Sequence, residues 1–495
     1  MPQRLRILFM ASEADPFTKT GGLADVASAL PRALHSLGHD VRILVPKYRG
    51  AGAHAGELQR VVPHLRIPLG DREAEGALLE GRAPSGVPVY LLEQDHYYDR
   101  FGVYGTADGD YWDNCERFIF FCRAGLEGLA RLGEAGGARW RPQLIHANDW
   151  QTGLVPVYLR TLYRDHPALK AVATLFTIHN LAYQGAFWHY DMPMTGLGWD
   201  LFTPAGLEFF GKLNFLKGGL VFSDLLTTVS RTYAREIRTA AFGSGLEGVL
   251  EERSQDLHGV VNGIDYDVWN PEKDPALAQP YSADEPEGKS VSRAALRAQL
   301  GLEPGPDPVL GMVTRLAEQK GLDLVLEALP GLLAEGCQLV LVGSGEPRLE
   351  DAFRTAAARH AGQVAVHIGY DPDLARRVYA GADCFLMPSR YEPCGLGQLI
   401  ALRYGAVPVV RRTGGLADTV SEFDPARRTG TGFLFDAFSA EALLEAVHRA
   451  AVTYHQPQPW KALVRNGMAE DFSWDASARE YVTLYRKALK TRGAR

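Results

Sequence analysis

The sequence predicts an α/β protein built from two doubly wound, Rossmann-like domains. Three observations carry that prediction. Short apolar β-type runs alternate with amphipathic helical stretches almost throughout. The runs are bounded by Gly or Pro and are apolar enough to be buried on both faces, as in parallel sheets covered by helices. They fall into two series, and 495 residues is too long for one ordinary domain.

In the first series, RLRILFMA, DVRILVP, PVYLLE, PQLIHA, AVATLFTIH and DLLTTV supply strands up to about Val229. In the second, HGVVNG, PVLGMVT, QLVLVG, QVAVHIG, ADCFLMP, AVPVVR and GFLFD follow, with helices such as DLVLEALPGLLAEG between them. The junction is placed near His258, ahead of a stretch rich in Pro, Asp and Glu without sustained periodicity. The predicted division is 1–258, 259–472, and a terminal amphipathic helix in 473–495 that opens with a Ser cap.

Bulk composition narrows the function. The net charge of −7 argues against duplex nucleic acid as the main partner. No apolar run approaches a membrane span, and the N-terminal run is too short for a signal peptide and reads as a strand. Five cysteines without CxxC spacing argue against a disulfide framework or a structural zinc site, and a reducing, cytoplasmic setting is expected. No His, Asp or Glu cluster has metal-ligand spacing, and the expectation is no metal and no cofactor.

Several motif matches carry no chemistry. GSGLEG at 243–248 follows a helical stretch rather than a strand and is read as a loop. EGKS at 287–290 lacks the first Gly of a P-loop. His35 and His39 are read as helix surface.

The hexapeptide TGGLAD occurs twice, in KTGGLADV (Lys19 to Val26) and in RTGGLADTV (Arg412 to Val420). Each copy lies behind a predicted strand and ahead of a predicted helix. Paired glycines admit close approach of a ligand to the backbone, and a helix N-terminus offers N–H groups with partial positive charge. Without a ligand, each is a glycine-rich strand-to-helix turn. Doubly wound domains bind ligands at the carboxyl ends of their strands, so both copies are expected to point into a cleft between the domains.

Arg315 and Lys320 flank another strand-end loop, where a fork and a point charge suit a diphosphate. Glu392, in PSRYEPCGLGQL, follows the next strand but two. It can bind sugar hydroxyls or stabilise positive charge at a reacting carbon. Cys394 beside it is read as packing. IHANDWQTG places His146, Asn148, Asp149 and Trp150 at a strand end, and TIHNLAYQG places His179, Asn180, Tyr183 and Gln184 at another. Aromatic residues crowd 96–121 and 183–210. Phe118, Phe120 and Phe121 are expected in the core, while Tyr97, Tyr104, Tyr111 and Trp188 are the surface candidates for stacking on sugar rings.

With these residues assembled, the chain resembles the bacterial glycogen synthases that use ADP-glucose, relatives of plant starch synthases. The match includes KTGGLADV, HANDWQTGL, TIHNLAYQG, LKGGL, GVVNGID, TRLAEQKGLDL, LVGSGEP, PSRYEPCGLGQL, RRTGGLADTV and DFSWDASA, in order along the chain. The resemblance implies the GT-B fold, with the active site between two domains and the last helix crossing back onto the first. It implies metal-free, retaining transfer of glucose from ADP-glucose to the non-reducing end of an α-1,4-glucan.

By the same resemblance, Arg315 and Lys320 hold the phosphates, assisted by N–H groups around Thr413, Gly414 and Gly415. Lys19, Gly21 and Gly22 reach the distal phosphate and sugar. Glu392, Cys394 and Gly395 lie at the donor, and Glu392 matches an essential glutamate. Asp149 and His179 match residues near the transferred glucose, and Tyr370 one that packs on adenine. Glu392 acts as a covalent nucleophile or as an electrostatic partner beside a same-face attack; the resemblance favours the second. Two departures stand out: Gly397, where relatives often carry Thr, and Asn148, where His is common. A sucrose-type synthase or phosphorylase using this fold is the enzymatic alternative, and a non-catalytic glucan-binding protein the other.

Overall fold

The computed structural model describes residues 4–106, 108–132 and 140–494, which divide into two compact units. Unit 1 comprises 1–229, 234–260 and 474–495; unit 2 comprises 230–233 and 261–473.

Unit 1 is built on β1 (Arg6–Met10), β2 (Asp40–Pro46), β3 (Gln59–Leu69), β4 (Arg72–Arg82) and β5 (Pro88–Glu93). After a two-residue hairpin of β6 (Gly105–Thr106) and β7 (Gly109–Asp110) come β8 (Leu144–Asn148) and β9 (Ala173–Ile178). A small antiparallel sheet of β10 (Ala186–Trp188), β11 (Glu208–Phe209) and β12 (Lys212–Asn214) precedes β13 (Leu225–Thr228) and β14 (Leu257–Gly259). The main sheet runs β14-β13-β9-β8-β1-β2-β5-β4-β3. It is parallel from β14 to β5, and the β3–β4 hairpin extends it antiparallel.

That hairpin has no counterpart among the strands expected from the sequence. It alternates buried Leu65, Ile67 and Leu69 with exposed Arg66 and Pro68, the signature of a half-covered strand rather than a fully buried one. Gly70, at φ +68°, turns the chain.

The last helix, Trp474–Ala494, belongs to unit 1. Trp474, Ala478, Tyr481, Val482, Tyr485 and Ala488 join the core formed by β1, β2 and helix Gly22–Ser36. The Tyr485 hydroxyl meets His146 Nδ1 at 2.8 Å, and Thr177 Oγ1 meets the other ring nitrogen at 2.6 Å. His146 is therefore a core residue and not part of a rim; burial keeps its ring neutral. His39 is likewise buried rather than on a helix surface, with Nδ1 accepting the Leu5 N–H, while His35 is exposed.

Unit 2 holds β15 (Val309–Val313), β16 (Gln338–Gly343), β17 (Val364–Ile368), β18 (Cys384–Met387), β19 (Val407–Arg411) and β20 (Phe433–Phe435). All six are parallel, in the order β17-β16-β15-β18-β19-β20. The Pro- and acid-rich stretch after 260 is an ordered cover for this unit. Asp274 pairs with Arg376, and the Tyr281 hydroxyl donates to the Tyr404 carbonyl. The EGKS lysine serves the same packing. Lys289 Nζ donates to the carbonyls of Ala380, Ala382 and Tyr404, and burial lowers its pKa to about 8. The GSGLEG stretch is loop only as far as Leu246, because Glu247 opens a short helix.

Tyr485→Ala should cost unit 1 about 3–5 kcal/mol, the range for emptying a buried aromatic site. Tyr485→Phe should cost about 1 kcal/mol through its hydrogen bond alone. Urea unfolding followed by fluorescence measures both; equal costs would mean that the ring contributes no packing.

Candidate active site

Each sheet reverses its winding at one point, and Asp149 in unit 1 and Arg315, Lys320 and Glu392 in unit 2 lie on the loops beside it. In unit 1 the reversal lies between β8 and β1; in unit 2 it lies between β15 and β18. Loops leaving the carboxyl ends of strands on either side of such a point splay apart and leave room for a ligand.

In unit 1 the neighbouring strands β1, β8 and β9 deliver Glu13, Asp149 and His179 from their carboxyl ends. Asp149 has φ 56° and ψ −178°, a conformation that costs a non-glycine residue about 1–3 kcal/mol. Its carboxylate accepts the backbone N–H groups of His179, at 2.7 Å, and of Asn180. Asp149 keeps some contact with solvent, yet the surrounding protein excludes enough water to push its pKa up to about 7, with Glu13 adding repulsion. The His179 ring is pushed the other way by burial, to about 3, and is neutral. Its Nε2 lies 2.9 Å from Asn148 Oδ1.

Glu13 escaped the sequence reading. It is buried, and its carboxylate accepts the Thr20 N–H at 2.5 Å, the Gly21 N–H at 3.3 Å, the Thr20 hydroxyl and the Tyr104 hydroxyl at 2.8 Å. A carboxylate three residues past a strand was the only signal. It ties the first TGGLAD loop to the strand edge. Beyond it, helix Gly22–Ser36 begins with no side-chain cap, and Lys19, Gly21 and Gly22 are exposed. Lys19 is paired with Asp25.

The second TGGLAD is built differently. Gly414 and Gly415 are buried, and Gly415 N–H donates to the carbonyls of Glu392 and Pro393, both at 3.1 Å. Thr413 N–H donates to the Arg411 carbonyl. Both amides are hydrogen-bonded within the protein, as the Gly21 amide is to Glu13. A Cβ on Gly414 would meet Glu392 O at 1.9 Å, and one on Gly415 would meet Cys394 O at 2.0 Å. The glycines let the short helix Gly414–Thr419 press on the 392–394 backbone. At Gly21, by contrast, a Cβ meets nothing within 4 Å.

The loop so supported carries Glu392, 5% exposed. Its Oε2 accepts from Lys320 Nζ at 2.6 Å and from Ser389 Oγ at 2.9 Å. Lys320 comes from the loop after β15 and Glu392 from the loop after β18, so the two sides of the reversal meet in one ion pair. Arg315 is exposed on the same loop as Lys320. Cys394 is buried, and burial pushes its thiol up to about 12. Gly395, at φ +75°, has the Gln398 side chain against it. At Gly397 a Cβ would lie 3.1 Å from the Phe385 ring and 3.3 Å from Met387 Sδ, so these side chains fill the place of a larger residue. Tyr370 is 87% exposed.

The four aromatic candidates separate. Tyr97 is 3% exposed and bonded to Glu116, so it is not a surface residue. Tyr111 is half-buried between the Arg100 and Arg117 guanidinium groups, and its hydroxyl donates to Phe101 O. Tyr104 is half-buried and held by Glu13 and Ser12 at the strand edge. Trp188 is 62% exposed on the small sheet, 4.7 Å from the Tyr190 ring. Phe118, Phe120 and Phe121 are fully buried, and Trp150 packs on Phe118. Among the described residues no group of three or more His, Cys, Asp and Glu side chains could hold a metal ion.

Two predictions follow from this geometry. Gly415→Ala should destabilise unit 2 by about 1–3 kcal/mol through overpacking. Gly21→Ala should stay within about 0.5 kcal/mol of the parent. Thermal unfolding of both variants checks this, and equal shifts would refute the asymmetry of the two copies. The raised pKa of Asp149 means that its ionisation costs the folded state stability, beginning near its unfolded value and complete above about 7. Asp149→Asn should therefore gain stability relative to the parent as pH rises from 4 to 7 and then level off. A difference that is constant from pH 4 to 8 would contradict the assigned shift.

Comparison with known proteins places the chain. Residues 6–252 match the starch synthase catalytic domain family, and residues 293–458 match the group 1 glycosyl transferases. A glycogen synthase of Syntrophotalea carbinolica is 52% identical, covering 98% of this chain and 99% of that protein. One from Anaeromyxobacter dehalogenans strain 2CP-1 is 50% identical, covering 97% and 99%. The solved catalytic domain of starch synthase IV from Arabidopsis thaliana, bound to ADP and acarbose, superposes with a TM-score of 0.89 at 34% identity, covering 99% of this chain and all of that one. Two doubly wound units with these matches have the GT-B fold, and the chain belongs to the glycogen synthase family of glycosyltransferases.

Proposed function

We propose that this chain transfers glucose from ADP-glucose to the non-reducing end of an α-1,4-glucan, with retention at the anomeric carbon and without a metal, in the cytoplasm. The observation that supports it most is the Lys320–Glu392–Ser389 constellation at the unit 2 reversal, in a chain of this family. The ADP and acarbose bound by the starch synthase IV relative point to the same pair of substrates.

In this reading Lys320 has three N–H donors, one of which binds Glu392. The others serve the diphosphate, with Arg315 as a second cation. The bond from the anomeric carbon to the ADP oxygen breaks, and charge develops on the leaving phosphate. Cations already in place neutralise it at no cost of reorganisation. The acceptor hydroxyl attacks from the same face, its oxygen bonds to the anomeric carbon, and its proton passes to the departing phosphate. Glu392 has one oxygen held by an ammonium and a hydroxyl, so it contributes fixed negative charge beside the cationic carbon rather than a covalent bond. Lys19 and the exposed Gly21–Gly22 turn bind the distal phosphate and sugar, Asp149 and His179 the transferred glucose, and Tyr370 the adenine. Tyr104 and Trp188 remain as acceptor contacts.

Glu392→Ala should abolish glycogen-dependent transfer while ADP still binds, measured by radiolabelled glucose incorporation and calorimetry. Near-normal turnover would remove Glu392 from the mechanism. Lys320→Ala should weaken donor handling by about 2–5 kcal/mol. In the same assays Lys19→Ala should lower transfer more than ADP affinity, and replacing ADP-glucose by UDP-glucose should lower incorporation.

A further inference from the structure

Asn148 is fully buried at the end of β8 and takes part in no contact that the proposed chemistry requires. Its amide is nevertheless completely committed. Nδ2 donates to the Met10 carbonyl at 3.1 Å and to the His146 carbonyl at 3.2 Å. Turning the amide over would set its oxygen against two carbonyl oxygens. The amide is thereby locked with Oδ1 toward His179, 2.9 Å from Nε2. An amide oxygen only accepts, so Nε2 must carry the proton. Burial keeps the ring neutral, with a pKa of about 3, so there is no second proton. Nδ1 is then a bare acceptor, and no described residue hydrogen-bonds it.

We propose that Asn148 is a positioning residue that fixes His179 as its Nε2–H tautomer, so that Nδ1 accepts a hydrogen bond from a hydroxyl of the bound hexose. The assignment to hexose rests on the function proposed above; the tautomer itself does not. The arrangement couples three adjacent strands. Met10 ends β1, His146 and Asn148 lie on β8, and His179 follows β9. A histidine whose proton position is set by the partner of its other nitrogen offers one defined face to a ligand. A protonated or inverted ring would turn that acceptor into a donor and clash with a hydroxyl proton already directed at it.

The titratable groups facing His179 are Asp149, whose carboxylate holds the His179 backbone N–H, and His146, whose ring is neutral and bonded to Tyr485 and Thr177. Glu13 stands behind Asp149. Since Asp149 titrates near neutrality, the proton must be read on the His179 ring and not from rates alone.

The test is long-range proton–nitrogen NMR on full-length protein labelled with 15N-histidine, with His179→Gln identifying the resonances. The parent should show His179 protonated at Nε2 only from pH 5.5 to 8.5. Glucose transfer by Asn148→Leu should fall about tenfold, the rate change that loss of one ordinary hydrogen bond's worth of energy produces. Asn148→Leu should release the ring and populate the Nδ1–H tautomer. A parent protonated at Nδ1, or an Asn148→Leu ring that is still protonated at Nε2 only, would overturn the proposal. If Asn148→Leu fails to fold, the tautomer of the parent ring decides. A parent with the Nε2–H ring but no transfer from any nucleotide sugar would sink the proposed function and leave the tautomer assignment standing.

Discussion

A buried carboxylate has to be met by donors, and each unit organises its strand edge around that demand. In unit 2 the carboxylate is Glu392, answered by Lys320 across the reversal of the sheet and by Ser389 from its own loop. Removing either partner would leave charge in a site almost closed to water, which is costly. The seating of that loop depends in turn on Gly414 and Gly415, since any side chain there would occupy the space of the 392–394 backbone.

Unit 1 meets the same demand with two carboxylates held apart in role. Glu13 spends its oxygens on the Thr20–Gly21 turn and on Tyr104. It fixes the loop that exposes Lys19. Asp149 is held in strained backbone geometry and raised in pKa, the combination expected where structure is maintained for chemistry rather than for stability. Asn148 and His179 complete the edge through hydrogen bonds alone. Unit 2 thus closes its edge with an ion pair, whereas unit 1 sets its carboxylates beside the neutral His179 ring.

The twin TGGLAD shows how one string of residues serves two purposes. In the first copy the glycines stand open at the start of a helix of 15 residues; in the second they are buried under a helix of six. The aspartates diverge as well. Asp25 pairs with Lys19, whereas Asp418 accepts the Thr232 N–H and hydroxyl. The shared feature is a strand-to-helix turn. What the turn approaches differs: solvent in one copy, the Glu392 loop in the other.

By itself the sequence determined the two doubly wound units, the strand ends that bear Lys19, Asp149, His179, Arg315, Lys320, Glu392 and Thr413, and the family. Those follow from apolar periodicity and from local motifs, which act over a few residues. It left the β3–β4 hairpin unread, because half-covered strands alternate where fully covered ones run continuously. Tertiary structure alone decided that Tyr97 is buried, that His146 and His39 belong to the core, and that the second glycine pair packs on the 392–394 backbone. It also decided that Glu13 and Asn148 govern the unit 1 edge. Such outcomes depend on which strands become neighbours. Met10, Asn148 and His179 are far apart in the chain, and only the order β9-β8-β1 brings the Met10 carbonyl to 3.1 Å and His179 Nε2 to 2.9 Å from the Asn148 amide.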